Sequence, residues 1–219
     1  MKTIKKIKRE DETEVITRLD VSCRNLTVLP PLPPTLTVLY CSGNQLITLS
    51  PLPLMLENLD CSDNELAALP PLPPTLEELY CYGNKLTALP PLPPTLKKLV
   101  CWGNQLTALP LLPPTLEVLY CDGNKLTALP HLPPTLKVLY CWDNKLTALP
   151  LLPPTLERLY YNGNYLHYKG KTIEEIRKEQ WHELFMINYV VSRMTEELGY
   201  GKESGVSFKW LENEIIKRF

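Results

Sequence analysis

No two of the seven cysteines stand at C-x-x-C spacing. The paired-ligand signature of a structural zinc site or a dithiol redox motif is therefore missing. Nor is any run long or apolar enough to span a bilayer. The opening MKTIKKIKREDETE is charged throughout and lacks the apolar core of a signal peptide. A formal net charge of −1 and a pI near 6.3 leave no global field to draw the chain to nucleic acid or an anionic membrane. The glycines are dispersed, with no phosphate-cradling loop. His131, His167 and His182 stand apart from any nucleophile-and-base arrangement. Glu57, Asp60 and Asp63 are clustered carboxylates, but they fall on a sheet surface where solvated charge is the ordinary state. The reading from these absences is a chain with no catalytic residues, no cofactor, no metal and no small-molecule substrate: not an enzyme.

What the chain has in abundance is a period. Cys41, Cys61, Cys81, Cys101, Cys121 and Cys141 recur every 20 residues within L-x-x-L-x-C-x-x-N-x-L-x-x-L-P-x-L-P-P-T. In LEELYCYGNKLTALPPLPPT, which begins at Leu76 as position 1, leucines fall at positions 1, 4, 11, 14 and 17, cysteine at 6 and asparagine at 9. The frame restarts at Leu36, Leu56, Leu96, Leu116, Leu136 and Leu156. A degenerate copy begins at Ile16, with Leu19, Val21, Leu26 and Leu29 in the apolar positions. So short a fixed period predicts a solenoid, in which each unit buries its apolar side only against its neighbours. The expected organisation is a charged arm or cap over 1–15, a solenoid of seven full repeats and a partial eighth over 16–166, and a helical C-terminal cap over 167–219.

Alternation in L-x-C, positions 4 to 6, predicts a short strand buried on one side. Successive copies stack as a parallel sheet with strands about 4.8 Å apart. On the opposite side, L-P-x-L-P-P-T removes backbone donors and fixes φ, so no α-helix forms there and the chain runs extended or polyproline-II-like. Asn44, Asn64, Asn84, Asn104, Asn124, Asn144 and Asn164 stand where the chain turns away from the strand, placed to satisfy turn backbone groups. The cysteines form a second ladder. In-register neighbours point their Cβ atoms the same way, which is poor disulfide geometry, and a buried free thiol behaves as a small hydrophobe. A stack of free thiols fits a reducing, intracellular compartment. Cys23 lies off this register and Arg24 takes the asparagine position in the first unit, as terminal repeats are usually atypical.

These residues resemble the leucine-rich repeat family. The 20-residue spacing and the L-P-x-L-P segment look like its shortest, bacterial type, found in the YopM and IpaH kinds of secreted effector. Similar repeats occur in proteins of giant viruses. The resemblance implies a parallel sheet on the concave side and a fold that serves many unrelated binders. Some effectors of this type carry a C-terminal ubiquitin-ligase domain with a catalytic cysteine. Here no cysteine follows Cys141, and only 55 residues follow Asn164.

Beyond Asn164 the composition changes, and no proline follows Pro154. Thr172 and Glu175 form a capping-box pattern that predicts a helix to about Leu198. Ile173, Ile176, Leu184, Ile187, Val191, Met194 and Leu198 mark its apolar stripe, interrupted by Gln180, with Trp181, Phe185, Tyr189 and Val190 widening it. Gly199, Gly201 and Gly205 punctuate a loop before a second helix predicted over 206–219. The helical segment is expected to cover the last open coil by packing on Tyr160, Tyr161 and Leu166. The other reading makes part of it a binding or oligomerisation element.

Positions 3, 5, 7 and 8 point out of the sheet. Position 5 reads Tyr40, Asp60, Tyr80, Val100, Tyr120, Tyr140, Tyr160, and position 7 reads Ser42, Ser62, Tyr82, Trp102, Asp122, Trp142, Asn162. Tyrosine and tryptophan dominate interface hot spots, and a contiguous exposed patch of them marks an interaction site. The candidate concave-face residues are Tyr40, Asp60, Tyr80, Tyr82, Lys98, Trp102, Tyr120, Tyr140, Trp142 and Tyr160. Glu57, Asp60, Asp63, Glu65, Glu77 and Glu78 read as an acidic region followed by a basic strip of Lys85, Lys97 and Lys98, a pattern that orients a partner. The function expected is binding of a protein partner, for a viral or pathogen protein a host protein. A structural or virion protein that self-associates is the alternative. Nucleic-acid binding through Lys2, Lys5, Lys6, Lys8, Arg9 and the lysine strip is the weaker one.

Overall fold

Backbone pairing follows the period coil by coil. The computed structural model describes residues 5–8 and 14–198. Nine strands form one sheet in chain order. They are β1 (Lys5–Lys8), β2 (Glu14–Asp20), β3 (Val38–Tyr40), β4 (Asn58–Asp60), β5 (Glu78–Tyr80), β6 (Lys98–Val100), β7 (Val118–Tyr120), β8 (Val138–Tyr140) and β9 (Arg158–Tyr160). β1 runs antiparallel to β2. Every later pair is parallel and strictly in register: Leu39 faces Leu59, Leu59 faces Leu79, and so on to Leu159. One helix, α1 (Ile173–Leu198), closes the described chain.

Each repeat strand occupies positions 3 to 5 rather than 4 to 6, one residue earlier than the alternation predicts. The asparagine explains the shift. The Cys81 N–H still continues the ladder to Val100 O at 2.9 Å, but the Cys81 carbonyl is taken by the side-chain amides of Asn84 and Asn104 at 3.2 and 3.0 Å. Pairing between strands ends where the side chain claims the backbone. At position 8 the chain turns through a left-handed conformation, supplied by Gly83, Gly103 and Gly123 but by Asp63 and Asp143 in two coils.

Inside the coils, the leucines at positions 1, 4 and 11 and the cysteine at 6 lose all solvent exposure in the central repeats. Each such leucine contributes about 2 kcal/mol of burial. The asparagines tie one coil to the next. Asn104 Oδ1 accepts the Leu86 N–H of the preceding coil at 3.0 Å, and its Nδ2 donates to Cys81, Cys101 and Trp102 carbonyls. Burial pushes the thiols well above their ordinary value of 9.0, with Cys41 and Cys141 at about 12. All six are unpaired and buried, while Cys23 is unpaired and exposed.

No helix or strand forms on the proline side. Its order comes from a second hydrogen-bonded ladder. The Thr95 hydroxyl lies 2.8 Å from both the Pro74 and Leu76 carbonyls of the preceding coil, and Thr75, Thr115, Thr135 and Thr155 repeat the arrangement.

α1 begins with the predicted capping box: Thr172 N–H donates to Glu175 Oε2 at 2.7 Å and Glu175 N–H donates to Thr172 Oγ1 at 3.3 Å. Ile176 is fully buried against the last coil. Gln180, which interrupts the apolar stripe, is buried too, and has a reason to be polar. It donates to the Leu149 and Pro150 carbonyls and accepts the Leu152 N–H, groups that the proline side leaves without strand partners. Arg177 reaches the Pro153 and Leu156 carbonyls. Tyr161 is buried, its hydroxyl within reach of the Tyr168 and Lys171 carbonyls.

Two expectations change here. Tyr160 is not covered by the helix but stays 51% exposed, on the outer side of β9. Trp181 and Phe185, read as widening the inward stripe, are 71% and 65% exposed because each lies one helical step past the inward line of buried Ile176 and Gln180 and half-buried Leu184. The loop glycines and the helix predicted over 206–219 lie outside the described residues.

Candidate functional site

Strand alternation sends leucine at position 4 inward and positions 3 and 5 outward, and position 7 joins them just past the strand. The sequence columns thus become physical columns, each side chain directly beside its counterpart 20 residues away. In the position 7 column, Tyr82 stacks on Trp102 with ring centroids 4.4 Å apart and planes 10° from parallel. In the position 5 column, Tyr120 stacks on Tyr140 at 4.5 Å, and Tyr140 meets Tyr160 at 4.4 Å with planes tilted by 59°. Trp102 and Trp142 remain 37% and 42% exposed. Val100 interrupts the tyrosines and is buried.

The first coils treat their aromatics differently. Arg18 lies over the Tyr40 ring at 4.7 Å, and Lys98 Nζ over the Tyr80 ring at 4.9 Å. The Tyr80 hydroxyl donates to Glu78 Oε2 at 2.9 Å. Burial, with Glu78 opposing Lys98, holds the Tyr80 phenol above its ordinary range, and its hydrogen bond raises Lys98. Asp60 is satisfied within its own turn, accepting from the Ser62 hydroxyl at 2.5 Å and the Ser62 N–H at 3.0 Å.

Asp122 has no side-chain donor of that kind. It stands in the position 7 column between Trp102 and Trp142 and is only 7% exposed. Burial raises its carboxyl; its own backbone N–H works against this, and the nearby Asp143 carboxylate adds to it. Among the described residues no lysine, arginine or histidine forms an ion pair with it.

Charge along the surface is not segregated as the sequence reading expects. Lys85 meets Glu65 at 3.0 Å, Lys97 meets Glu77 at 2.8 Å and Lys137 meets Glu117 at 2.6 Å. Residues 20 apart become neighbours, so the basic strip neutralises part of the acidic region preceding it. These pairs are solvent-exposed and contribute little to stability.

All ten candidate residues therefore lie on one side of the sheet, and the stacking joins Tyr82 to Trp102 and Tyr120 to Tyr140 and Tyr160. Tyr40 and Tyr80 are matched to cations of the chain, and Asp60 to its own turn. Two features escaped the sequence reading. The threonine ladder is visible in the repeat as a residue that recurs in every unit but the one ending at Met55, with no assigned task. Asp122 is visible only as a carboxylate placed between two tryptophans of its column.

Solved structures carry the same architecture. YopM of Yersinia enterocolitica superposes with a TM-score of 0.64 at 44% identity, over 65% of this chain and 32% of its own. A leucine-rich effector protein of Yersinia pestis, also YopM, gives 0.60 at 35% identity, over 68% of this chain and 50% of its own. The leucine-rich repeat domain of a Shigella effector gives 0.63 at 32% identity, over 75% of this chain and 74% of that one. The chain thus spans a third to a half of the YopM chains. No protein-family model matches it, and neither does any curated protein. A parallel solenoid with 20-residue coils and these relatives define the class: the chain belongs to the leucine-rich repeat family, in its short 20-residue type.

Proposed function

We propose that the chain is a non-enzymatic module that binds a protein partner through its aromatic sheet face. The observation carrying this reading is that Trp102, Trp142 and Tyr160 stay exposed on the sheet face, with Tyr140 half-buried between Tyr120 and Tyr160, since such rings bury large areas at small entropic cost. Its similarity to effectors supports a host protein as the partner, and the unpaired thiol ladder supports work in a reducing compartment. Among the described residues no helix is long and apolar enough to cross a membrane.

The test compares wild type with a variant carrying Tyr80, Trp102, Tyr120, Tyr140 and Trp142 all as alanine, after both are shown to fold. Proteins captured from host lysate are identified, purified and titrated against each form. A partner bound by wild type and lost by the variant supports the reading. A partner bound equally by both places binding elsewhere, with the exposed Trp181 and Phe185 of α1 next to be replaced.

A further inference from the structure

Resting on that reading, we propose that Trp102, Asp122 and Trp142 form a slot for an arginine side chain of the partner protein. The slot follows from the column geometry. Tyr82 covers one face of Trp102 in near-parallel stacking, so the opposite face of that indole looks along the column toward Asp122. On the far side of Asp122 stands Trp142, which stacks on no ring among the described residues. Two strand spacings put the indoles about 10 Å apart. A planar group in contact with one ring face takes up about 3.5 Å of that width. Asp122 is the floor, sunk between two exposed walls. Gly123 follows it in a left-handed turn and brings no side chain across the opening.

The chemistry of the floor selects the ligand. A carboxylate that is 7% exposed and without a side-chain donor is costly to keep charged unless a cation arrives. Asp143 adds negative charge close by. Tryptophan is the best aromatic partner for a cation, and among the described residues cations lie over Tyr40, Tyr80 and Tyr168 but over neither Trp102 nor Trp142. Arginine satisfies all parts together: its flat guanidinium stacks on an indole and its N–H fork meets a carboxylate in two parallel hydrogen bonds. An ammonium offers neither the plane nor the fork.

The test reads the indole N–H signals by NMR as N-acetyl-arginine methylamide is added, with the lysine and norleucine analogues as controls. Expected are joint shifts of the Trp102 and Trp142 signals that saturate at millimolar arginine probe, with smaller shifts for lysine and none for norleucine. D122S, which installs the residue that Ser42 and Ser62 provide in this column, weakens the response at least about tenfold. Matching circular dichroism and thermal melts for D122S and wild type establish that the loss is local, and D122N provides a second variant of nearly unchanged volume. Equal shifts for all three probes, or an undiminished response in both variants, overturn the slot. If the five-alanine variant loses a protein partner that D122S binds at full affinity, the slot is overturned while the binding face stands. If the five-alanine variant keeps that partner, the binding face fails.

Discussion

The inside of the coils and the face of the sheet are built from alternate residues of the same strands, yet they follow opposite rules. Inward, the six coils that begin at Leu36, Leu56, Leu76, Leu96, Leu116 and Leu136 repeat leucine, cysteine and asparagine with almost no exposure. Outward, one column runs from serine through tyrosine, tryptophan and aspartate back to tryptophan and asparagine. Alternation keeps the two independent: an outward residue can change without disturbing the ladder behind it, because its neighbours in the column are other outward residues. Stability therefore resides in the sameness of one side and recognition in the variety of the other.

The comparison breaks most severely at high pH, because the six ladder thiols lie on the inward side. The folded thiols hold their protons above the ordinary 9.0, to about 12 for Cys41 and Cys141. Above pH 9 the unfolded chain therefore binds fewer protons than the folded one. The stabilisation is complete below pH 9 and is lost as pH rises toward 12, by about 1.4 kcal/mol per thiol per pH unit. Between pH 8 and pH 10 the unfolding free energy from urea titrations should fall by several kcal/mol more in wild type than in a variant with all six ladder cysteines as valine. A common slope for the two proteins would remove the thiols as the cause.

Asn104→Ala breaks the inward side at one point. It strands the Leu86 N–H in the interior and leaves the Cys81 carbonyl with Asn84 as its one amide partner, and urea unfolding should register a loss of about 2–3 kcal/mol. Gln180→Ala works at the terminal coil, leaving the Leu149 and Pro150 carbonyls and the Leu152 N–H unpaired. The expected cost is about 2 kcal/mol, seen as faster amide exchange at Leu152 than in the central coils. A uniform rise in exchange would show that the helix is not a local cap.

On the outward side the effect on folding is smallest. Tyr82→Ala removes the stack on Trp102, and about 0.2–1 kcal/mol should be lost. A loss as large as that of Asn104→Ala would mean that the face also bears the fold and would erase the distinction.

Periodicity made the inward side readable, since leucine, cysteine and asparagine each declare their place by recurring every 20 residues. The capping box and α1 were readable for a similar reason, being local patterns. The charge pairs were not, because Lys97 and Glu77 are remote along the chain and meet only when coils stack. Asp122 was hidden in the same way: its buried place in the column, with Trp102 and Trp142 one coil to either side, exists only once the coils stack. The direction of Trp181 depended on which helical line the last coil buries, and Gln180 set that line through backbone groups invisible to hydropathy.

The asparagine ladder also gives the solenoid a direction in time. Asn104 serves a donor 18 residues behind it and an acceptor 23 residues behind it, and the same backward reach recurs at Asn64, Asn84, Asn124 and Asn144. As the chain leaves a ribosome, each coil is latched only by the arrival of its successor. Growth from the N-terminus thus leaves a single unlatched coil at the advancing end, however many coils have already been made. Assembly from the opposite terminus would present each asparagine before the coil it is meant to hold.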